Sequence, residues 1–335
     1  MQTVELAHTG EQVSQLALGC MLMGTATPPD ESFTMLDRYL DAGGTFLDTA
    51  DCYSWWLNRG SSGGESEELL GRWFAADRSR RDRVFLATKG SAVVDRVAEV
   101  WPAGGEPDWD LARSRFVGAG GDTLRRSVDA SLHRLGVDHI DLYYVHVDDR
   151  ATPLEETLAA LAEIVAAGKV RYLGWSNVRT WRLERIRQLC QRNGWPAPVA
   201  VQQQHSYLRR RAGLSNASIV DDEQLDYLRE NDDLSLVAYS PILKGCYEPD
   251  RRSSWAMEPY QGPDADARLA ALDRLAPEVS ATPSQLVLAW LLAQQSPRIL
   301  PLIGPRTLAQ YESAVTATGI KLDREQLELL TAAGA

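Results

Sequence analysis

Four side chains in the first half of the chain could together move a proton: Asp48, Tyr53, Lys89 and His146. A free phenol titrates near 10 and is a poor acid at neutral pH. An ammonium about 4 Å away, at an effective dielectric near 20, favours phenolate by up to ~4 kcal/mol. That is worth at most ~3 pKa units, so Lys89 is expected to bring Tyr53 toward working pH. Asp48 would hold Lys89 charged and in place, and His146, as a neutral donor, would orient and polarise a carbonyl oxygen. The set contains no nucleophile and no metal cage. It suits delivery of a proton to an oxygen while a second group delivers a hydride. Each member also has a structural reading: Asp48 and Lys89 as a buried ion pair, His146 as a satisfied core histidine, Tyr53 as loop packing.

What favours the chemical reading is where these residues fall. Asp48, Lys89 and His146 each end a short apolar run, in TFLD, VFLATK and DLYYVH. Gln202 ends VAVQ, Tyr239 ends SLVAY, and Ser176 with Asn177 ends GWSN. The apolar runs are 15–19, 45–48, 84–89, 140–146, 170–176, 199–202, 234–239 and 299–304. Amphipathic helical patterns separate them, at 30–41, 66–76, 122–135, 153–167, 180–193, 221–230, 265–276 and 283–293, with 308–317 and 324–332 closing the chain. Thr282-Pro-Ser-Gln285 and Asp323-Arg-Glu-Gln326 read as capping boxes, Thr152 as a helix cap and Gly168 as a helix-terminating glycine. Nearly continuous apolar strands alternating with helices indicate a parallel sheet covered on both faces. Eight such units predict an α/β fold, a closed (β/α)8 TIM barrel formed as one domain over 1–335, whose functional groups gather at the C-terminal strand ends. An N-terminal β-hairpin, from 4–7 and 13–16, is expected to plug the barrel bottom. No GxGxxG follows a strand, so a Rossmann-type cofactor site has no support.

Composition narrows the partners. The 335 residues are 44% hydrophobic and 24% charged, with a net charge of −11. That balance suits a globule with a substantial core and argues against nucleic acid or an anionic membrane as main partner. No apolar run reaches about 18 residues, so no membrane span is expected. The first residues are polar and carry no secretory core, which points to a cytoplasmic protein. Cys20, Cys52, Cys190 and Cys246 are widely spaced, with no metal-ligand pattern, and read as reduced thiols. The Arg209–Arg211 run reads as a solvated loop, and His133 and His139 as surface residues at the barrel bottom.

The segments LALGCMLMG, FLDTADCY, FLATK, DLYYVH, GWSN, VAVQQQHSYLRR, AYSPILKG and LPLIGPRTLAQ resemble, in order, the signatures of the aldo-keto reductases. The resemblance runs from about residue 4 to 332. It implies NADPH (NADP+) as cofactor, a small-molecule carbonyl substrate, and Asp48, Tyr53, Lys89 and His146 as the catalytic tetrad. It further implies that Ser176, Asn177 and Gln202 hold the nicotinamide carboxamide and that Tyr239 stacks on the ring. Gly19, Cys20 and Met21 match the first-strand turn beside the cofactor, and Asp48 also borders it. Ser240, Ile242 and Lys244 match the loop crossing the pyrophosphate, and Gly304, Arg306, Thr307 and Gln310 the adenosine 2′-phosphate region. An arginine at a helix start suits a phosphate dianion. Two positions depart from the family pattern: Ser313-Ala314 stands where a Glu-Asn pair usually touches adenine, and Cys20 where threonine is common.

The tryptophans are not explained by a shared scaffold. Of ten, Trp55, Trp56, Trp101, Trp109 and Trp255 lie in three long post-strand segments, 54–64, 90–120 and 246–264. Long loops rich in aromatics read as ordered lids. Indoles gathered at the mouth would suit a bulky, flat or cyclic carbonyl of sugar or polyketide type, or would pin the loops to the barrel. A non-catalytic NADPH-binding regulatory relative stays open at this stage. So does a lyase or isomerase of the same fold acting on a phosphorylated substrate. The natural substrate and the subunit count also stay open.

Overall fold

Successive side chains on a strand point to opposite faces, and in a closed barrel this parity decides which groups enter the interior. The computed structural model describes residues 1–102 and 105–334; Ala103 and Gly104, within the expected lid 90–120, and Ala335 lie outside the described residues. Two short strands, β1 (Thr3–Glu5) and β2 (Gln12–Ser14), pair antiparallel. Eight more follow: β3 (Ala17–Gly19), β4 (Phe46–Asp48), β5 (Phe85–Gly90), β6 (Ile140–Val145), β7 (Val170–Ser176), β8 (Pro198–Gln204), β9 (Ser235–Tyr239) and β10 (Ile299–Ile303). They are all parallel and close on themselves, β10 pairing with both β9 and β3. The expected (β/α)8 barrel is the observed one.

Ala17, Phe46, Phe85, Ala87, Leu142, Tyr144, Ala200, Val237, Leu300 and Leu302 form the inner core, and Leu6 and Val13 of the hairpin complete it from below. The hairpin is thus the plug the sequence predicted. The alternate positions Leu18, Leu47, Leu86, Tyr143, Trp175, Val201 and Ala238 pack outward under the helices. Continuing the inward parity by two places carries Phe46 to Asp48, Ala87 to Lys89, Tyr144 to His146, Ala200 to Gln202 and Val237 to Tyr239. The strands therefore aim these polar groups at one end of the barrel.

The helices match the sequence patterns closely, including Pro29–Asp41, Glu65–Ala76, Gly121–Leu135, Thr180–Asn193 and Pro283–Leu292. The capping boxes at Thr282–Gln285 and Asp323–Gln326 are present. Thr152 is a correction. The helix Leu154–Ala166 has Pro153 at its cap and no side-chain cap, because the Thr152 hydroxyl donates instead to Asp149 Oδ2 at 2.6 Å. No helix among the described residues is long and apolar enough to cross a membrane.

Candidate active site

Lys89 is fully buried, and each of its three ammonium protons has an acceptor. They are the Asp48 carboxylate, the Thr49 carbonyl at 2.7 Å and the Tyr53 hydroxyl oxygen at 2.7 Å. Because the Tyr53 oxygen accepts from Lys89, its own O–H remains to donate elsewhere. The second Asp48 oxygen accepts from Gln202 Nε2 at 2.8 Å. His146 stands edge-on to Tyr53, ring centroids 5.7 Å apart. The four residues expected to act together are together.

Electrostatics correct one expectation. Burial, then the charge of Asp48, pushes the Tyr53 phenol well above its ordinary 10. Lys89 does not bring it down, because the Asp48 carboxylate that accompanies it acts on the phenol in the same direction as desolvation. Tyr53 is therefore a neutral phenol at working pH. Burial, then the Lys89 charge, pushes His146 down to about 3, so its imidazole is neutral as expected. Burial raises Asp48, while Lys89 and Gln202 pull it back.

The residues matched to a nicotinamide carboxamide are already hydrogen-bonded to one another. Ser176 Oγ donates to the Gln202 carbonyl at 2.8 Å, and Asn177 Nδ2 donates to the His146 carbonyl at 2.8 Å and to Ser176 Oγ at 3.1 Å. The Tyr239 hydroxyl donates to Asn177 Oδ1 at 2.9 Å, which fixes its ring at the strand end. What remains is acceptor capacity, on Gln202 Oε1 and the second lone pair of Asn177 Oδ1, and that suits an amide NH₂. Asn177, Ser240 and Lys244 all hold positive φ, at 54°, 51° and 59°, so the turns after β7 and β9 are strained where the site is built. Met21 packs beside Tyr53 and Cys52. Cys20 is fully buried with its thiol in the core; its N–H donates to the Asp48 carbonyl at 2.8 Å and its carbonyl accepts from Ser66 Oγ at 2.8 Å.

The 2′-phosphate region is less open than its sequence suggested. Thr307 and Gln310 form a capping box on the helix Leu308–Thr316. Gln310 Oε1 accepts from the Arg306 N–H at 2.8 Å and the Thr307 N–H at 3.3 Å, while the Glu31 carboxylate accepts from the Leu308 N–H at 2.7 Å. Side chains thus already satisfy most of the helix-terminal donors. Gly304 and Arg306 are exposed, and the Arg306 guanidinium has no acidic partner among the described residues. On the other loop, Ile242 is half-buried and Lys244 is exposed, its ammonium 4.1 Å above the Trp255 ring.

The five tryptophans separate by role. Trp55 is 2% exposed and packs with Val94, Val100 and Ala112, with Trp101 against the same cluster. These two pin the loops. Trp56 lies edge-on to Tyr53 at 6.3 Å, and Trp109, which is 41% exposed, tilts against both Trp55 and Trp56 at 5.0 and 5.9 Å. Trp255, 74% exposed, carries Lys244 instead of joining them.

Sequence reading missed a second buried polar group behind Tyr53. Asp51 Oδ2 accepts from Ser127 Oγ at 2.5 Å, Tyr143 donates to the same Ser127 at 3.1 Å, and Asp51 Oδ1 is buried without a partner. Nearby, Glu67 accepts from Thr88 Oγ1 at 2.6 Å and Arg134 Nε at 2.7 Å. Burial, then the Glu67 charge, pushes Asp51 up to about 7. The available signal was Glu67 itself, an acid on the same helical stripe as Leu70 and Phe74. Among the described residues no group of three His, Cys, Asp or Glu could hold a metal ion, and the four cysteines are free and buried.

A closed parallel barrel with a buried tyrosine, lysine, aspartate and neutral histidine at its strand ends defines an oxidoreductase-type barrel enzyme. The Aldo/keto reductase family model matches residues 15–335, and the chain belongs to that family of NAD(P)H-dependent oxidoreductases. It is 32% identical to the uncharacterized oxidoreductase YrpG of Bacillus subtilis, over 98% of this chain and 95% of that one. It is 31% identical to norsolorinic acid reductase stcV of Emericella nidulans, over 95% of this chain and 77% of that protein. The aldo-keto reductase yakc [NADP(+)] of Schizosaccharomyces pombe is 29% identical, over 93% and 86%. The crystal structure of the thermostable aldo-keto reductase Tm1743 with the inhibitor epalrestat superposes with a TM-score of 0.70 at 29% identity, covering 98% of each chain.

Proposed function

We propose that the protein reduces an aldehyde or ketone to an alcohol with NADPH, Tyr53 giving the proton. The observation that carries this reading is the committed lysine: all three Lys89 protons are taken, one by the Tyr53 oxygen, so the phenol proton is the one available. When bound, the reduced nicotinamide supplies the hydride. Tyr53 then donates its proton to the developing alkoxide, and the phenolate left behind is held by the Lys89 N–H. Asp48 holds the Lys89 ammonium in place through that change. His146 donates a hydrogen bond to the carbonyl oxygen and polarises it. Ser176, Asn177, Gln202 and Tyr239 would hold the nicotinamide end, the backbone of Gly19, Cys20 and Met21 would border it, and Ser240, Ile242 and Lys244 would cross the pyrophosphate. Gly304, Arg306, Thr307 and Gln310 would meet the adenosine end, where the unpaired Arg306 favours a 2′-phosphate and the name of the fission-yeast relative agrees. Half-buried Trp56 and exposed Trp109, the indoles that reach from the loops toward Tyr53, favour a flat or cyclic substrate, and the relative named for norsolorinic acid supports a bulky one. Free buried thiols fit a reducing cytoplasm.

The test is NADPH oxidation across a panel of aliphatic and aromatic carbonyls, with Tyr53→Phe as the control. Turnover should fall by about 10²–10⁴ in the variant while NADPH affinity stays near wild type. Retention of more than roughly a tenth of the activity would mean that another group is the acid. No turnover across the panel would leave a non-catalytic, cofactor-binding role.

A further inference from the structure

Cys52 precedes the proposed acid and meets the proposed carbonyl-binding histidine, with Sγ 3.4 Å from His146 Nδ1. We propose that Cys52 is a positioning residue: its thiol donates to Nδ1 and so holds His146 as the tautomer that carries its proton on Nε2. The inference rests on the role given above to His146. A neutral imidazole has one N–H, and the hydrogen bond made by one nitrogen decides which nitrogen keeps the proton. If Nδ1 kept it, Nε2 would present a lone pair to the substrate oxygen and repel it.

Two observations make the thiol able to donate and the imidazole able to accept, and the contact geometry brings them together. The thiol is protonated and therefore has a proton to give: Cys52 is 3% exposed, and burial, then the Asp51 charge, holds it well above its ordinary 9. The imidazole is neutral and therefore has one nitrogen able to accept, since desolvation and the Lys89 charge both disfavour its charged form. Asp51 is the second acceptor beside the thiol and helps to raise it, but its Oδ2 already takes the Ser127 proton, and the contact of hydrogen-bond geometry that Sγ makes is the one to His146 Nδ1. The rest of His146 is anchored through its backbone only. Its N–H donates to the Gly90 carbonyl at 2.8 Å and its carbonyl accepts from Asn177. Neither contact distinguishes the two ring nitrogens, and among the described residues Cys52 is the side chain that does. The other neighbours of Cys52, namely Ala50, Tyr53 and Ala92, offer its thiol only packing.

The experiment compares wild type, Cys52→Ala and Cys52→Ser in two readouts. The first is the ¹⁵N NMR spectrum of histidine-labelled protein, with the His146 signals assigned from their loss in His146→Ala. The second is kcat and KM with NADPH and an aromatic aldehyde. Wild type should show a neutral His146 with Nδ1 bare and Nε2 protonated. Cys52→Ala should show a mixed or reversed tautomer and lose about tenfold in kcat with little change in NADPH affinity, as when a group orienting a functional histidine is removed. Cys52→Ser keeps an O–H donor and should restore both the tautomer and most of kcat. A wild-type His146 protonated on Nδ1 would overturn the proposal, as would a Cys52→Ala protein with unchanged tautomer or kcat. The tautomer spectra do not depend on turnover. Full activity in His146→Ala would therefore refute the role of His146 in the reaction while leaving the Cys52–His146 bond measured on its own terms.

Discussion

Replacing Lys89 with methionine keeps an unbranched stem of similar length and removes the charge with all three donors. In the folded protein Asp48 then loses its cation and keeps only Gln202, while the Thr49 carbonyl and the Tyr53 oxygen lose the N–H groups they accept from at 2.7 Å. Breaking a fully buried ion pair by removing one partner costs about 3–5 kcal/mol, because the other charge stays desolvated. The two orphaned oxygens belong to the same network and are not added separately. For a protein of this size the cost corresponds to a fall in Tm of roughly 5–15 °C. The pH dependence is the sharper test. Burial already raises Asp48, and the Lys89 charge is the largest effect opposing that rise. Without Lys89 the folded pKa of Asp48 climbs further. A carboxyl raised in the folded state contributes stability below its unfolded pKa and loses it as pH rises through the folded value. The Tm deficit of Lys89→Met relative to wild type should therefore be larger at pH 8 than at pH 5, measured by calorimetry in matched salt. Equal deficits at the two pH values, or one worth less than ~1 kcal/mol, would refute the coupling of Lys89 to a buried, ionised Asp48.

Arg306→Ala should weaken NADPH far more than NADH, by ~1.5–3 kcal/mol, and equal losses in titrations with the two cofactors would remove the 2′-phosphate assignment. Glu31→Gln should act oppositely, tightening NADPH by ~0.3–1 kcal/mol, because the Glu31 carboxylate sits on the helix-terminal N–H of Leu308. Trp56→Ala should lower kcat/KM for a polycyclic ketone by ~2 kcal/mol and leave a three-carbon aldehyde nearly unaffected, whereas Trp55→Ala should mainly lower Tm. Equal effects of Trp56→Ala on both substrates would reduce it to a packing residue. Asp51, held at about 7 against an ordinary 3.8, stabilises the fold while protonated, by at most ~4 kcal/mol that is lost between about pH 4 and 7. Asp51→Asn should remove that loss, so its Tm should rise relative to wild type across this range, and parallel Tm curves would show that Asp51 is solvated.

The barrel was legible because its signal is periodic. Eight apolar runs with intervening amphipathic stretches leave few other architectures, and in five of them the polar residue at the end keeps the inward parity of the core residue two places before it. The plug was legible for the same reason, through Leu6 and Val13. What sequence could not show was how the site residues bond to one another. Asn177, Ser176 and Gln202 look like three free hydrogen-bonding groups until their mutual contacts appear. Thr307 and Gln310 look like phosphate ligands until they close a capping box. Glu31 belongs to a helix hundreds of residues away in sequence from the terminus it caps, so no local pattern announces it. The tryptophans were recognisable as a group, but division into pins and exposed faces depends on loop paths, which carry no periodicity.

The misjudged phenol has the most to say about the chemistry. Pairwise reasoning from Lys89 alone predicts a depressed Tyr53, but Asp48 accompanies the lysine into the same low-dielectric barrel end. Desolvation is the largest influence on both rings, and each member of the pair adds to it, Asp48 at the tyrosine and Lys89 at the histidine. It raises the tyrosine and lowers the histidine, driving both to neutral forms that carry a proton. A site with two neutral donors and a self-compensated ion pair has no strong attraction for an anionic ground state. Its donors strengthen as negative charge appears on an oxygen between them, and weaken when the charge is gone. A neutral carbonyl passing through an alkoxide is stabilised most at its transition state by such a site, which is the condition for binding energy to appear as rate. The same burial that makes Tyr53 a weak acid at equilibrium thus makes it a selective one, giving up its proton only to an oxygen basic enough to take it.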